Sequence, residues 1–465
     1  GIGSLGDAVT QALILRHHHN PDYCVAMARL LNDPDDTASL ARIGGMGRFE
    51  QGLYGATEMF VDGFMQLQRE GILKRTVYDF WALQRVVNQG QCDPQALDAA
   101  VLDHLCAAGL GMLRAQDFAV LQHHGLFADS ARYEHGFLQF ADGSRVIADL
   151  DQPATRAAIV QSGMGRSLRR GKVLHAGFFL GPRDFYQNLH ALDPVVQDTI
   201  CMTGVDKVNQ LDLNPRLYRE QRRDARFLNS AMIATVSGAV VSDGLADGRV
   251  VSGVGGQYNF VAQAHQLDGG RSVLMLRAVR DSAGRQQGNI VLDYAHCTIP
   301  RHLRDLLVTE YGVADLRGQT DSEVAKRVLG LADSRFQPEL LARLKASGRI
   351  EADWTLPPAW SHNTPQQLDR RLRGLRELGH LPDFPFGTEF TDQEWRLARA
   401  LQAVRARSVG TAKWKLLLSG LRPRRVTVSQ RRDLARVRLN HAFSLRRMAE
   451  RGLLIDALRG LPADD

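Results

Sequence analysis

From Lys172 to about residue 345, short apolar runs closed by Gly or Asp alternate with helix-like segments. The runs are VLHAGFFLG, AMIATVSGAVV, SVLMLRA, IVLDY and LLVTE, and the segments include PRDFYQNLHAL, DSEVAKRVLGLA and PELLARLKASG. Apolar runs of this length read as short strands, one of them a buried-strand candidate, mixed with helices. The alternation restricts this part of the chain to an open α/β layered fold. A length of 465 residues leaves room for two or three domains around it.

The flanking regions have a different texture. Leu5, Val9, Leu13, Ile14 and Leu15 recur at helical spacing directly after the glycine-rich start GIGSLGDAV. Met59, Phe60, Phe64 and Leu67 repeat that spacing, with Gly71 as a stop. On this reading Thr57 caps a helix and Glu58 lies in its first turn, where a carboxylate is favoured, stays ionised and is available as a nucleophile. Residues 72–170 read as a mostly helical insertion, with QCDPQALDAAVLDHLCAAG as one amphipathic helix and a hairpin at Asp142-Gly143. Pro357-Pro358, HNTP and HLPDFPFG mark a Pro-rich connector over 351–390, and 391–465 forms a basic helical tail.

Charge and cysteine usage narrow the function classes. From Arg396 onward there are 17 Lys and Arg against 5 Asp and Glu, a balance of +12 in a chain whose net charge is +7, so the main body is acidic. Five scattered cysteines without a CxxC pair argue against a disulfide framework and against a zinc site and fit a reducing cytoplasm. His17, His18 and His19 are consecutive, so on a helix they point about 100° apart and cannot converge on one metal ion. No apolar stretch approaches the roughly 18 residues of a membrane span, and the start lacks the basic n-region of a signal peptide.

Four separated stretches place glycines or carboxylates at the turns of the α/β layer: GIGSLG at the start, YGATEM around Glu58, VSGVGGQYNF from Val251, and VTEYGVADLRG from Val308. Glycines let backbone pass close to a ligand, and a following helix offers free N–H groups to an anion. Each stretch also has an ordinary structural reading, as a tight turn or, for Asp315 and Arg317, a salt bridge within a turn.

Taken in order, and with LNSAMIATVSG, these stretches resemble the acetyl-CoA hydrolase/transferase family, also called family I CoA-transferases. The resemblance covers roughly residues 1–70 and 172–345. It implies an open α/β/α layered CoA-transferase-like domain built from 1–71 and 171–350, with a mostly helical insertion and a helical C-terminal extension. It further implies that Glu58 is the nucleophile, passing through an acyl–glutamyl anhydride to a glutamyl-CoA thioester. Asn229 and Glu310 fall on positions lining the site. The GIG turn (Ile2, Gly3) and the loop carrying Gly253, Gly255, Gly256, Gln257 and Asn259 would supply oxyanion and CoA contacts. The implied partners are acyl-CoA and small carboxylate substrates, with coenzyme A as the cofactor-like substrate and no metal, nucleic acid or membrane. The family pattern includes an α/β domain ahead of the GIG turn that this sequence lacks, which leads to the expectation of a fragment or a processed chain. The insertion and the tail are candidates for capping the site, making homo-oligomer contacts or restricting the acceptor.

Two other readings compete. Acyl-CoA hydrolysis would use the same glutamate, with water as acceptor. A non-catalytic binding protein would use the tail, where Arg424-Arg425 and Arg431-Arg432 could meet phosphates. Against the latter, no aromatic stacking platform accompanies the arginines, and Leu417, Leu418, Leu421, Leu434, Leu439 and Leu445 read as a packed helical layer.

Overall fold

The computed structural model describes residues 3–30, 40, 43–282, 285–408, 418–441 and 443–461. They form two compact units: residues 1–279 with 288–385, and residues 280–287 with 386–465.

The first unit begins with helices Ser4–His18 and Asn20–Leu30, followed by strand β1 (Gly55–Phe60) and helix Asp62–Arg69. Residues from Tyr78 to Leu168 then build a core of their own around Leu83, Leu102, Leu121, Phe127 and Leu138. Within it, β2 (Arg132–Glu134), β3 (Phe137–Gln139) and β4 (Arg145–Ile147) form an antiparallel meander. The expected hairpin turn is present, with Gly143 at φ +84° and the Asp142 carboxylate accepting the Ser144 N–H. The expected long helix is shorter, running only over Ala100–Ala107. Asp93 instead accepts the Gln95 N–H and holds the preceding residues in a turn.

Strand β5 (Leu174–Phe179) pairs in parallel with β1 on one side and β6 (Ile200–Met202) on the other. This pairing corrects the reading of Thr57 and Glu58 as a helix start: both lie in β1, with Thr57 opposite Ala176 and Met59 opposite Phe178. The helix begins only at Asp62, after Val61 in an extended conformation. The spacing of Met59, Phe60, Phe64 and Leu67 fits a helix, but half of it belongs to a strand whose partner lies more than a hundred residues away.

A second sheet follows in the order β7 (Arg226–Ser230), β10 (Arg271–Met275), β14 (Leu306–Thr309), β15 (Gly312–Asp315), the first three parallel and the last antiparallel. Between these in sequence, β8 (Ile233–Thr235), β9 (Val240–Val241) and β13 (Ile290–Val291) make a small sheet, and β11 (Val279–Ser282) and β12 (Arg285–Gly288) a ribbon. Helices Asp321–Gly330 and Gln337–Ala346 supply Val324, Val328, Leu340 and Leu344 to the core under the second sheet. The architecture is α/β with a helical extension. At the amino ends of β10 and β14, Arg271 bridges Asp305 and Asp315, and Arg317 reaches Asp305. Asp315 and Arg317 therefore belong to a structural ion network at the edge opposite Glu310.

Helix Pro215–Gln221 ties residues 81–88 to this layer. Trp81 lies between the guanidinium groups of Arg216 (3.8 Å) and Arg85 (5.3 Å), and Arg85 pairs with Glu220 at 2.7 Å. The Pro-rich segment carries a 13-residue helix, Pro365–Glu377, started by the Thr364 hydroxyl accepting the Gln367 N–H.

In the second unit, helices Asp392–Arg407, Val428–Arg436 and Leu445–Arg459 pack around Leu397, Ala400, Leu434, Leu454 and Ile455. Leu434 and Leu439 pack as expected, Leu418 and Leu445 are exposed, and Leu417 lies outside the described residues. Arg424 is committed to Asp456, and Arg396 to Asp433 at 2.8 Å, so part of the basic character holds helices together. Among the described residues no helix is long and apolar enough to cross a membrane.

Candidate active site

Glu58 projects from the carboxyl-terminal half of β1 and meets the glycine-rich loop. The Gly256 N–H donates to its Oε2 at 2.6 Å. Gly256 caps helix Gln257–Gln266, so this donor is one of the free N–H groups at a helix amino terminus. The sequence reading had the right physical element on the wrong segment: the helix end facing Glu58 starts almost two hundred residues later.

Two close approaches explain why the loop is built of glycine. Gly255 has φ +52°, and a Cβ there would lie 2.9 Å from Glu58 Oε2. A Cβ on Gly256 would lie 2.6 Å from the Asn209 side-chain nitrogen. Gly253 is exposed and has open space where its Cβ would be. Behind Glu58, a Cβ on Gly177 of β5 would crowd both the Glu58 carbonyl oxygen at 3.0 Å and Val205.

The second sheet brings its strand ends to the same loop. The Gln257 side chain is buried and donates to the Ser230 carbonyl at 3.1 Å, holding the helix start against the end of β7. Asn229 precedes Ser230, and its buried Nδ2 has no hydrogen-bond partner among the described residues. Asn259 lies half-buried in the first turn of the helix. Ligands of open α/β sheets bind at such carboxyl ends.

Glu310 follows β14, and its Oε2 accepts the Ala278 N–H at 2.8 Å, pinning the segment after β10. It also lines a cavity of about 540 Å³ with Tyr311, Trp354, Trp360 and Arg371, a cavity that neither Glu58 nor the glycine loop lines. The geometry thus brings Glu58, Gly255, Gly256 and Gln257 together and puts Asn229 one residue before Ser230, which Gln257 holds, with Glu310 at the end of a strand two places along the sheet from β7. Gly3 caps helix Ser4–His18 at φ +99°, while Ile2 lies outside the described residues. A Cβ on Gly63 would lie 2.5 Å from the Thr10 hydroxyl, so helix Ser4–His18 packs against the helix following β1, and burial, then the charge of Asp62, raises the Asp7 carboxyl above its ordinary range.

The sequence reading missed the polar layer beneath β1. His175 on β5 is 2 % exposed, its Nδ1 paired with the Tyr54 hydroxyl at 2.8 Å and its Nε2 without a partner among the described residues. Burial, then the charge of Lys207, pushes the His175 imidazole down to about 4. Asn209, against Gly256, has a buried Oδ1 without a partner among the described residues. Arg222 is buried beside them and donates to Gln263 and to the Gln210 carbonyl. Helix Val205–Asn209 is too short to carry a recognisable pattern, and only the fold puts it here.

Residues 181–344 match the acetyl-CoA hydrolase/transferase C-terminal domain. A 4-hydroxybutyrate coenzyme A transferase of Clostridium kluyveri is 27% identical over 203 residues, 43% of this chain and 44% of that protein. A probable butyrate:acetyl-CoA coenzyme A-transferase of Syntrophomonas wolfei is 30% identical over 117 residues, 24% of this chain and 26% of that protein. The chain thus spans less than half the length of either relative in the match. Among solved structures, RipA from Yersinia pestis aligns over 39% of this chain and 36% of its own, at 25% identity and a TM-score of 0.31. The family match and the glycine loop fall in the same part of the chain, so residues 181–344 are similar to the C-terminal domain of the acetyl-CoA hydrolase/transferase family.

Proposed function

We propose that this chain carries the catalytic glutamate of a CoA-transferase, moving CoA from an acyl-CoA thioester to a carboxylic acid through a glutamyl-CoA thioester on Glu58. The observation that carries the reading is the 2.6 Å hydrogen bond from the Gly256 N–H to the Glu58 carboxylate, which joins two motifs distant in sequence.

In the first half-reaction a Glu58 carboxylate oxygen attacks the thioester carbonyl carbon. The tetrahedral adduct expels CoA thiolate and leaves an acyl–glutamyl anhydride. The thiolate then attacks the glutamyl carbonyl, the acyl group departs as a carboxylate, and a glutamyl-CoA thioester remains. An incoming carboxylate attacks that thioester and reverses the two steps, so one thioester replaces another and no proton is consumed overall.

The Gly256 N–H holds one carboxylate oxygen and thereby aims the other at the substrate. When the glutamyl carbon itself becomes tetrahedral, the same donor lies against its developing oxyanion. The absence of a side chain at Gly255 leaves room for that change of geometry. The free Nδ2 of Asn229 is a donor for the substrate carbonyl or acceptor carboxylate. Glu310 acts one step away, by holding the segment at Ala278. Gly3 would face the substrate from the helix start near Asp62.

Mass spectrometry after incubation with acetyl-CoA or butyryl-CoA tests the reading. A CoA adduct on the peptide containing Glu58, removed by hydroxylamine and missing in Glu58→Ala, is expected. Absence of the adduct with every acyl-CoA tried sinks it. Release of free CoA that does not depend on added acetate would identify hydrolysis by the same residue instead.

A further inference from the structure

The three consecutive histidines diverge, as their spacing requires, yet one of them arrives at a ligand set. The Phe49 N–H donates to His17 Nδ1, and the His17 ring stacks on the Phe49 ring. His18 pairs with Glu70 at 3.0 Å. His19 faces Asp22 and His380, and one ligand atom from each of the three lies within 4.8 Å of the others.

Local structure holds these groups in place. His19 caps helix Ser4–His18, and Asp22 stands three residues on in the first turn of Asn20–Leu30. A spacing of three at a helix start puts both on one side. His380 sits on a closed C-terminal turn: Gly379 at φ +74° donates to Arg376, and the His380 N–H donates to Leu375 at 2.9 Å. Gln11 donates to the His380 carbonyl at 3.3 Å. Beneath them Leu15, Ala26 and Leu375 form a small buried cluster.

We propose that His19, Asp22 and His380 form a site for a divalent first-row metal ion, Zn²⁺ foremost. Two imidazoles and one carboxylate are a donor set that zinc takes with water in the fourth position. At zinc bond lengths neighbouring donor atoms stand about 3.3 Å apart. His380 Nε2 and Asp22 Oδ2 are at 2.9 Å. The His19 ring, its centroid 4.8 Å from that of His380, is exposed and has no hydrogen bond among the described residues, so it is free to close in. The ion would join the junction of the first two helices to the end of helix Pro365–Glu377. Those helices contribute Met27, Leu30, Leu368 and Arg371 to the wall of the cavity containing Glu310. Metal binding would therefore stabilise that wall without touching Glu58, and the site stands whether or not the transferase reading does.

The test uses the full chain, stripped with a chelator, dialysed, and titrated with zinc chloride by calorimetry and thermal melting. One equivalent is expected to bind and to raise the melting temperature. His380→Ala, Asp22→Asn and His19→Ala should each weaken it about tenfold or more, whereas the double variant His17→Ala/His18→Ala should bind as before. Co²⁺ substituted for zinc should show no thiolate charge-transfer band, which separates this site from one using Cys24. If His380→Ala fails to fold without metal, the exposed His19 carries the same test. No zinc uptake, or uptake lost with His17 and His18 but kept in His19→Ala, would leave only a His–Asp ion pair and overturn the proposal.

Discussion

Residues 72–170 and the surroundings of Glu58 treat buried polar groups in opposite ways. From Tyr78 to Leu168 a dense apolar core forms, and no buried side-chain polar atom in residues 72–170 lacks a hydrogen-bond partner. Near Glu58 and along β7, His175 Nε2, Asn209 Oδ1 and Asn229 Nδ2 are all buried without one among the described residues. A buried unpaired polar atom costs about 1–3 kcal/mol, so a region carrying three gives up stability that residues 72–170 keep. If the proposed site is right, the unpartnered atoms are where a ligand's polar atoms would be received.

Substitutions can break this division. Glu58→Ala should have the largest effect, lowering CoA transfer by about a thousandfold or more. Its urea midpoint should stay near that of the unsubstituted chain, because Glu58 is only half-buried. A large midpoint shift would make Glu58 a structural acid. Phe127→Ala should do the reverse. Phe127 is fully buried with its ring 4.9 Å from Phe118, so truncation should cost about 3–5 kcal/mol in denaturant unfolding while leaving turnover per folded molecule nearly intact.

Stability against pH probes the polar layer under β1. His175 is held neutral, its folded value of about 4 lying below that of the unfolded chain. Between those values the unfolded state binds more protons, so this contribution is complete above about pH 6.5 and disappears as pH falls toward 4. His175→Gln should flatten the acid side of the stability profile by roughly 2–3 kcal/mol. An unchanged profile would show that His175 is not buried as a neutral ring.

Gly255→Ala places a methyl group against Glu58 at a left-handed backbone position, and should lower turnover about tenfold to a hundredfold with about 1 kcal/mol of destabilisation. Asn229→Ala sharpens the comparison most finely. Removing a donor that has no partner among the described residues should leave the unfolding midpoint within about 1 kcal/mol while reducing turnover about tenfold. If turnover is unchanged, the free Nδ2 is a packing defect and serves no ligand.

Much of the α/β frame was legible from residue order. VLHAGFFLG, SVLMLRA and the start of LLVTE became β5, β10 and β14, and the helices expected after them lie at Arg183–His190, Asp321–Gly330 and Gln337–Ala346. Glycine punctuation and apolar run length act over a few residues, so sequence alone carries them. Glu58 was legible as a candidate through motif order, but its setting was misread, because a helical spacing can straddle a strand and the helix that follows it.

The sequence by itself determined that strands and helices alternate, that glycines crowd particular turns, and that three adjacent histidines cannot share one metal ion. Only the tertiary structure decided that Glu58 sits on a strand, that the helix end facing it begins at Gly256, and that Asn209 and His175 lie beneath it. Tertiary structure alone also carried His380 to His19 and Asp22. The physical reason is range: propensity and turn chemistry are set by neighbours in the chain, whereas pairing and burial join segments whose separation leaves no periodic trace.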